Sequence, residues 1–136
     1  MSPIERINPE GDFPFLMGAY SQGIKVPLPG TDLIFLTGQK AVDSYGNVVF
    51  PNDPGKQAEY VFNNVSRLLA AAGASMSDVV KAQIFVTNMQ DFPIISSVRN
   101  RYFENVRPAS VMVEVTALAK PGCCVEVAVT AVKLHP

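Results

Sequence analysis

Glu114 and Glu126 each sit inside a valine-rich run, VMVEV and VEVAV. An unpaired carboxylate is costly in such surroundings, so each needs a partner, contact with water, or a chemical task. Glu126 can serve as a general base or hold an attacking water; otherwise it is a strand carboxylate paired with a nearby donor. Glu114 fits a structural role better, accepting hydrogen bonds from backbone N–H groups. The only histidine is His135, next to the last residue. That argues against a Ser-His-Asp or Cys-His mechanism within one chain.

Cys123 and Cys124 are adjacent, and neighbouring cysteines rarely form an unstrained bridge. No second pair offers a disulfide framework or a zinc site. One of the two thiols is expected to point inward as a small apolar group. No motif suggests a metal or organic cofactor, and none is expected. Free cysteines suit a reducing, cytoplasmic compartment. A formal net charge of -1 and the absence of a Lys/Arg cluster argue against nucleic acid or membrane surfaces as partners. The N-terminal residues lack the apolar stretch of a secretory signal, and no apolar run is long enough to span a bilayer. A small-molecule ligand is the expected partner.

The elements that must position these residues are legible in outline. The size suits one domain, 1–136. Residues 4–8 read as a short strand and 9–18 as an ordered loop. Residues 20–26 and 33–37 read as two strands separated by the turn PLPGTD. A turn at 43–47 precedes a short strand, VVF. Asp53 can cap a helix with Pro54 in its first turn. Val61, Val65, Leu68, Leu69 and Ala72 form its apolar face, and Gly73 ends it.

Residues 79–86 predict a strand with Val80, Ala82, Ile84 and Val86 facing one way and Lys81 and Gln83 the other. Asp91 is expected to cap a second helix with Ile94, Ile95, Val98 and Tyr102 on its apolar face. Strands at 109–117 and 123–133 close the chain. This order predicts an α+β fold, a mixed sheet with both helices on one face. The opposite face stays apolar, so a partner copy is expected to cover it.

Five motifs then carry a family likeness: GAYSQG (18–23), LTGQ (36–39), NNVSRLLAAAGASMSDVVKAQIFVTNMQDF (63–92), RPASVMVEV (107–115) and VEVAVTAV (125–132). In this order and spacing they resemble the Rid family, also called YjgF or reactive-intermediate deaminases. The resemblance implies a homotrimer of the chorismate-mutase-like fold with clefts between subunits. It implies hydrolytic deamination of an enamine or imine to a 2-oxo acid and ammonia. It places Tyr20, Gly38 and Gln39 beside the cleft and gives Glu126 the attacking water.

In that family an arginine usually follows the Pro-Ala pair and grips the substrate carboxylate with two parallel donors. Here that position is Ser110. Ser96 stands where the family often has asparagine, and Met112 where many members carry cysteine. Alternation puts Met112 on the same strand face as Ser110 and Glu114. Arg99, one helical turn after Ser96, and Arg107, three residues before Ser110, are candidates to meet an anionic ligand. Ser110 can donate a hydrogen bond or simply line the cleft; with no nearby histidine it is a poor nucleophile. Tyr20 can orient a ligand or pack at an interface.

The expected function is enamine/imine deamination with specificity altered at Ser110. A metabolite-binding, regulatory or chaperone-like trimer is the alternative, and an endoribonuclease the third reading.

Overall fold

Asp53 accepts a hydrogen bond from the backbone N–H of Lys56 at 3.1 Å, and Pro54 occupies the first turn. Helix α1 (Pro54–Ala71) therefore starts where the sequence predicts. Its apolar stripe, Val61, Val65, Leu68 and Leu69, is fully buried. Gly73 follows with φ +82, a left-handed turn that stops the helix. The structure, a computed structural model, describes residues 3–136. Met1 and Ser2, the start of the expected 1–136 domain, lie outside the described residues.

Seven strands form one sheet: β1 (Glu5–Ile7), β2 (Gly23–Leu28), β3 (Thr31–Leu36), β4 (Gln39–Lys40), β5 (Val79–Val86), β6 (Ala109–Glu114) and β7 (Val125–Leu134). The spatial order is β1-β2-β3-β7-β5-β6, with β4 also paired to β7. Helix α2 (Phe92–Phe103) makes the crossover between β5 and β6, which run parallel. The other pairs are antiparallel, so the sheet is mixed, as expected.

Both helices contribute to one core against the sheet, where Ile34, Ile84, Val127 and Ala131 are buried. Phe62 of α1 stacks on Tyr102 and meets Phe103 edge-on, which locks α2 to α1. The other face carries Ile24, Leu33, Phe35, Phe85, Val111 and Val113 by register. Phe35 and Val111 are each 44% exposed and Val113 is 41% exposed, so this face is open within one chain.

Five local expectations need correction. Val80 does not share a face with Ala82, Ile84 and Val86. The β5–β7 register shifts between Val79 and Lys81, and this bulge leaves Val80 exposed. Asp91 makes no side-chain cap bond to α2. A short 3-10 turn, Met89–Asp91, runs into the helix, and Asn88 caps that turn by accepting from Gln90 N at 2.9 Å. Asp91 is already in a helical conformation, so its carboxylate is not extended for capping.

Ile94 is exposed, with its side chain beside Gly55, whereas Phe103 takes the buried place at the helix end. The VVF segment is not a strand; Val48 makes one isolated bridge to Val42. Strand ends also differ: the first hairpin closes tightly, with Leu28 paired to Thr31, and β6 stops at Glu114.

Candidate functional site

Strand register divides the expected site residues between the two faces of the sheet. Glu126 pairs with Phe85, which pairs with Val113, so all three share the open face. Ser110 pairs with Ala82, which is fully buried beneath the helices. Within one chain Ser110 and Glu126 therefore point to opposite sides.

On the open face, Lys40 and Glu126 are direct cross-strand partners. Lys40 Nζ lies 3.7 Å from Glu126 Oε1, and the two side chains are 14% and 24% exposed. Gly38 sits immediately against the carboxylate; a Cβ there would lie 2.6 Å from Glu126 Cδ and 2.9 Å from Cγ. A larger residue at Gly38 would force the Glu126 side chain out of this position. Gly38 and Lys40 line a small pocket of about 10 Å³ together with Pro14, Leu16, Met17 and Tyr20. The Tyr20 hydroxyl accepts from the backbone N–H of Met17 at 3.2 Å. The register thus sets Lys40 and the neighbouring Gly38 against Glu126, while the loop brings Tyr20 to the pocket that Gly38 and Lys40 line.

Gln39 lies on the other side of its strand, 1% exposed. Its Nε2 donates to Gln22 Oε1 at 3.0 Å, and Gln22 Nε2 donates to Pro14 O at 2.6 Å. Gln39 thus props the loop that forms one wall of the pocket and does not face it.

The second region is a groove of about 880 Å³ between α2 and β6. It brings together Ser96, Arg99, Arg107 and Ser110, with Arg101 and Glu104 at its margins. Ser96 is buried and donates to Pro93 O at 3.3 Å. Arg99 Nε donates to Asn100 Oδ1 at 3.1 Å, and Arg101 is ion-paired with Glu59. Arg107 is exposed with φ +53, a left-handed conformation that costs a non-glycine residue about 1 kcal/mol or more. Met112 shares the face of Ser110 but packs against the core. Glu114 Oε1 accepts from Met89 N at 2.7 Å, the structural role expected of it.

Two residues were missed by sequence reasoning. Lys40 belongs to a two-residue strand with no periodicity to reveal it; only its pairing with β7 does. Gln57 is fully buried on α1. Its Nε2 donates to Phe50 O at 2.9 Å and Gly122 O at 2.8 Å, and its Oε1 accepts from Cys124 N at 2.7 Å. It ties two loops to the start of β7, the strand that carries Glu126. Cys123 and Cys124 are both free and buried, and burial pushes both thiols up from their ordinary range.

Residues 12–133 match the family described as Endoribonuclease L-PSP, to which the YjgF and Rid names also attach. The chain belongs to this family. It is 36% identical over 104 residues to a RutC family protein of Pyrococcus abyssi, covering 76% of this chain and 79% of that one. It is 35% identical over 104 residues to a Dermatophagoides farinae protein named 2-iminobutanoate/2-iminopropanoate deaminase, covering 76% of this chain and 78% of that one. Among solved structures, E. coli TdcF with bound serine matches with a TM-score of 0.79 at 30% identity, covering 95% of this chain and 99% of that chain. Membership of the Rid family accounts for the shared fold.

Proposed function

We propose that this Rid-family chain hydrolyses an enamine or imine to a carbonyl product and ammonia. The cleft lies between copies of a cytoplasmic homotrimer of chorismate-mutase-like fold. The observation that carries this reading is the close approach of Gly38 to Glu126 on the open face, beside the pocket that Gly38, Lys40 and Tyr20 line. Glu126 takes a proton from water as the water oxygen adds to the imine carbon. That proton passes to nitrogen, giving a carbinolamine; Glu126 then carries the hydroxyl proton to nitrogen as the C–N bond breaks, so ammonia leaves as the carbonyl forms. Tyr20 orients the substrate from the loop, and Gly38 leaves room for Glu126 to approach it.

Ser110, Ser96, Arg99, Arg107 and Met112 serve the same cleft from a neighbouring copy. Their position on the opposite face of the sheet supports a site shared between two chains. The open apolar face supports a covering copy, and the deaminase-named relative supports the reaction. The buried free thiols support a reducing compartment.

The test is ammonia release from freshly generated 2-iminobutanoate, with Glu126→Gln beside the wild type. Acceleration above the buffer rate that disappears in the variant is expected. Equal rates with and without protein would end the hydrolytic reading.

A second reading, a metabolite-binding trimer without catalysis, is favoured by one observation: Ser110 stands where the resemblance implies an arginine. RNA cleavage has the family's description behind it but no matching geometry. His135 pairs with Asp32 at 3.0 Å, nine residues along β7 from Glu126, or roughly 30 Å of extended chain.

A further inference from the structure

We infer that Lys40 is the anion anchor of the small pocket beside Glu126, binding the carboxylate of an apolar 2-imino or 2-oxo acid. This deepens the cleft reading above and rests on it. Among the described residues, Lys40 is the only charged side chain lining that pocket, and Glu126 stands beside it, against Gly38 and Lys40. Its ammonium stands 3.7 Å from Glu126, beyond hydrogen-bond reach, and donates no hydrogen bond to any described residue. Lys25 shows what a satisfied lysine looks like in this fold: it donates to Ala72 O at 3.1 Å and pairs with both Glu5 and Asp32. Lys40 instead keeps spare donors on a side chain that is only 14% exposed. Much of the ordering cost of an anion site has thus been met before ligand arrives.

The surroundings select the rest of the ligand. Pro14, Phe15, Leu16, Met17 and Val42 are apolar. They strengthen an ion pair by excluding water and favour an apolar tail beside the carboxylate. The charges also balance. Lys40 and a protonated imine nitrogen oppose Glu126 and the ligand carboxylate, two positive against two negative. At about 10 Å³ the pocket has room for a water but not for the ligand. The ligand therefore sits at the mouth of the pocket, beside the exposed side chains of Met17 and Tyr20, with its carboxylate toward Lys40.

The experiment compares binding of 4-methyl-2-oxopentanoate and its methyl ester to the full chain by calorimetry. Neither probe can turn over to ammonia, so anion binding is read apart from hydrolysis. The wild type is expected to prefer the acid by about ten- to a hundredfold. Lys40→Met should erase that preference while leaving ester binding unchanged, and Lys40→Arg should retain it.

A structural role for Lys40 would weaken acid and ester together, so the ratio separates the two. Should Lys40→Met fail to fold, Lys40→Met/Glu126→Gln removes the orphaned carboxylate and carries the test. An acid preference that survives the loss of Lys40, or a wild type with none, overturns the inference. Lys40-dependent acid binding without ammonia release sinks hydrolysis and leaves the anchor. Ammonia release with no role for Lys40 in acid preference does the reverse.

Discussion

Gly38→Ala is the sharpest probe of the open-face pocket. The added Cβ would lie 2.6 Å from Glu126 Cδ and 2.9 Å from Cγ, and closer still to one carboxylate oxygen. Its three nearest atoms all belong to that one side chain, with no backbone atom of β7 among them. Relief therefore comes from rotating Glu126, not from parting the strands. A displaced rotamer costs about 0.5–1.5 kcal/mol, and the loosened Lys40 pair adds at most about 1 kcal/mol.

The expected loss of stability is therefore about 1–2 kcal/mol, at the mild end of overpacking. The effect on chemistry should be far larger, because a carboxylate moved by about 1 Å can lose roughly a hundredfold in rate. Ammonia release from 2-iminobutanoate and urea unfolding, run on the same preparation, measure both quantities. Activity within about threefold of wild type would refute the placement of Glu126 at the reacting centre. A stability loss above about 4 kcal/mol would refute the claim that only a side chain yields.

Three further perturbations follow from named contacts. Gln57→Leu leaves the Cys124 N–H without its partner and strips one acceptor bond from each of Phe50 and Gly122. Both carbonyls keep another donor, Asp53 N and Asn52 N, so urea unfolding should show a loss of about 2–5 kcal/mol; less than about 1 kcal/mol would mean the bonds are readily replaced. Burial raises the Cys123 and Cys124 thiols, so the folded chain holds protons that the unfolded chain releases. Their contribution to stability is full below about pH 8.5 and declines as pH rises through the folded-state values. The urea midpoint should fall between pH 8.5 and 10, about where thiols titrate, and fall less in Cys123→Ser/Cys124→Ala; identical slopes would contradict this. Ser110→Arg should lower the KM for a 2-imino acid by about tenfold with little change in kcat, and an unchanged KM would remove Ser110 from the cleft.

Local signals in the sequence were enough for the helices and the sheet type. Asp53 and Pro54 mark a helix start through backbone chemistry that needs no distant partner. The stripe of α1 is a periodicity, and the parallel β5–β6 pair follows from the helix between them. The bulge at Val80 left no such trace, since valine suits either face and the shift arises from pairing with β7. Asp91 misled because a 3-10 turn precedes the helix, so the residue was already helical when capping required an extended one. Lys40 and Gln57 were invisible for a shared reason: each acts through residues far along the chain, Glu126 for one and Gly122 and Cys124 for the other.

The separation of Ser110 from Glu126 has a consequence for how this cleft can work. Parity within β6 or β7 does not reveal it, because the two strands are not neighbours and their relation passes through β5. A ligand touching both residues in one chain would have to cross the sheet. The same register leaves Phe35, Val111 and Val113 uncovered and sets β6 at an open edge. An exposed apolar edge invites another chain to pair or pack there, and a second copy would cover it. Covering that face also brings a foreign surface to the Lys40–Glu126 pocket, which lies on it. One packing event can therefore stabilise the chain and complete the cleft. On this view the missing arginine at Ser110 removes a cation from one wall only. Lys40 keeps a cation on the other wall, beside the carboxylate proposed to act on the water.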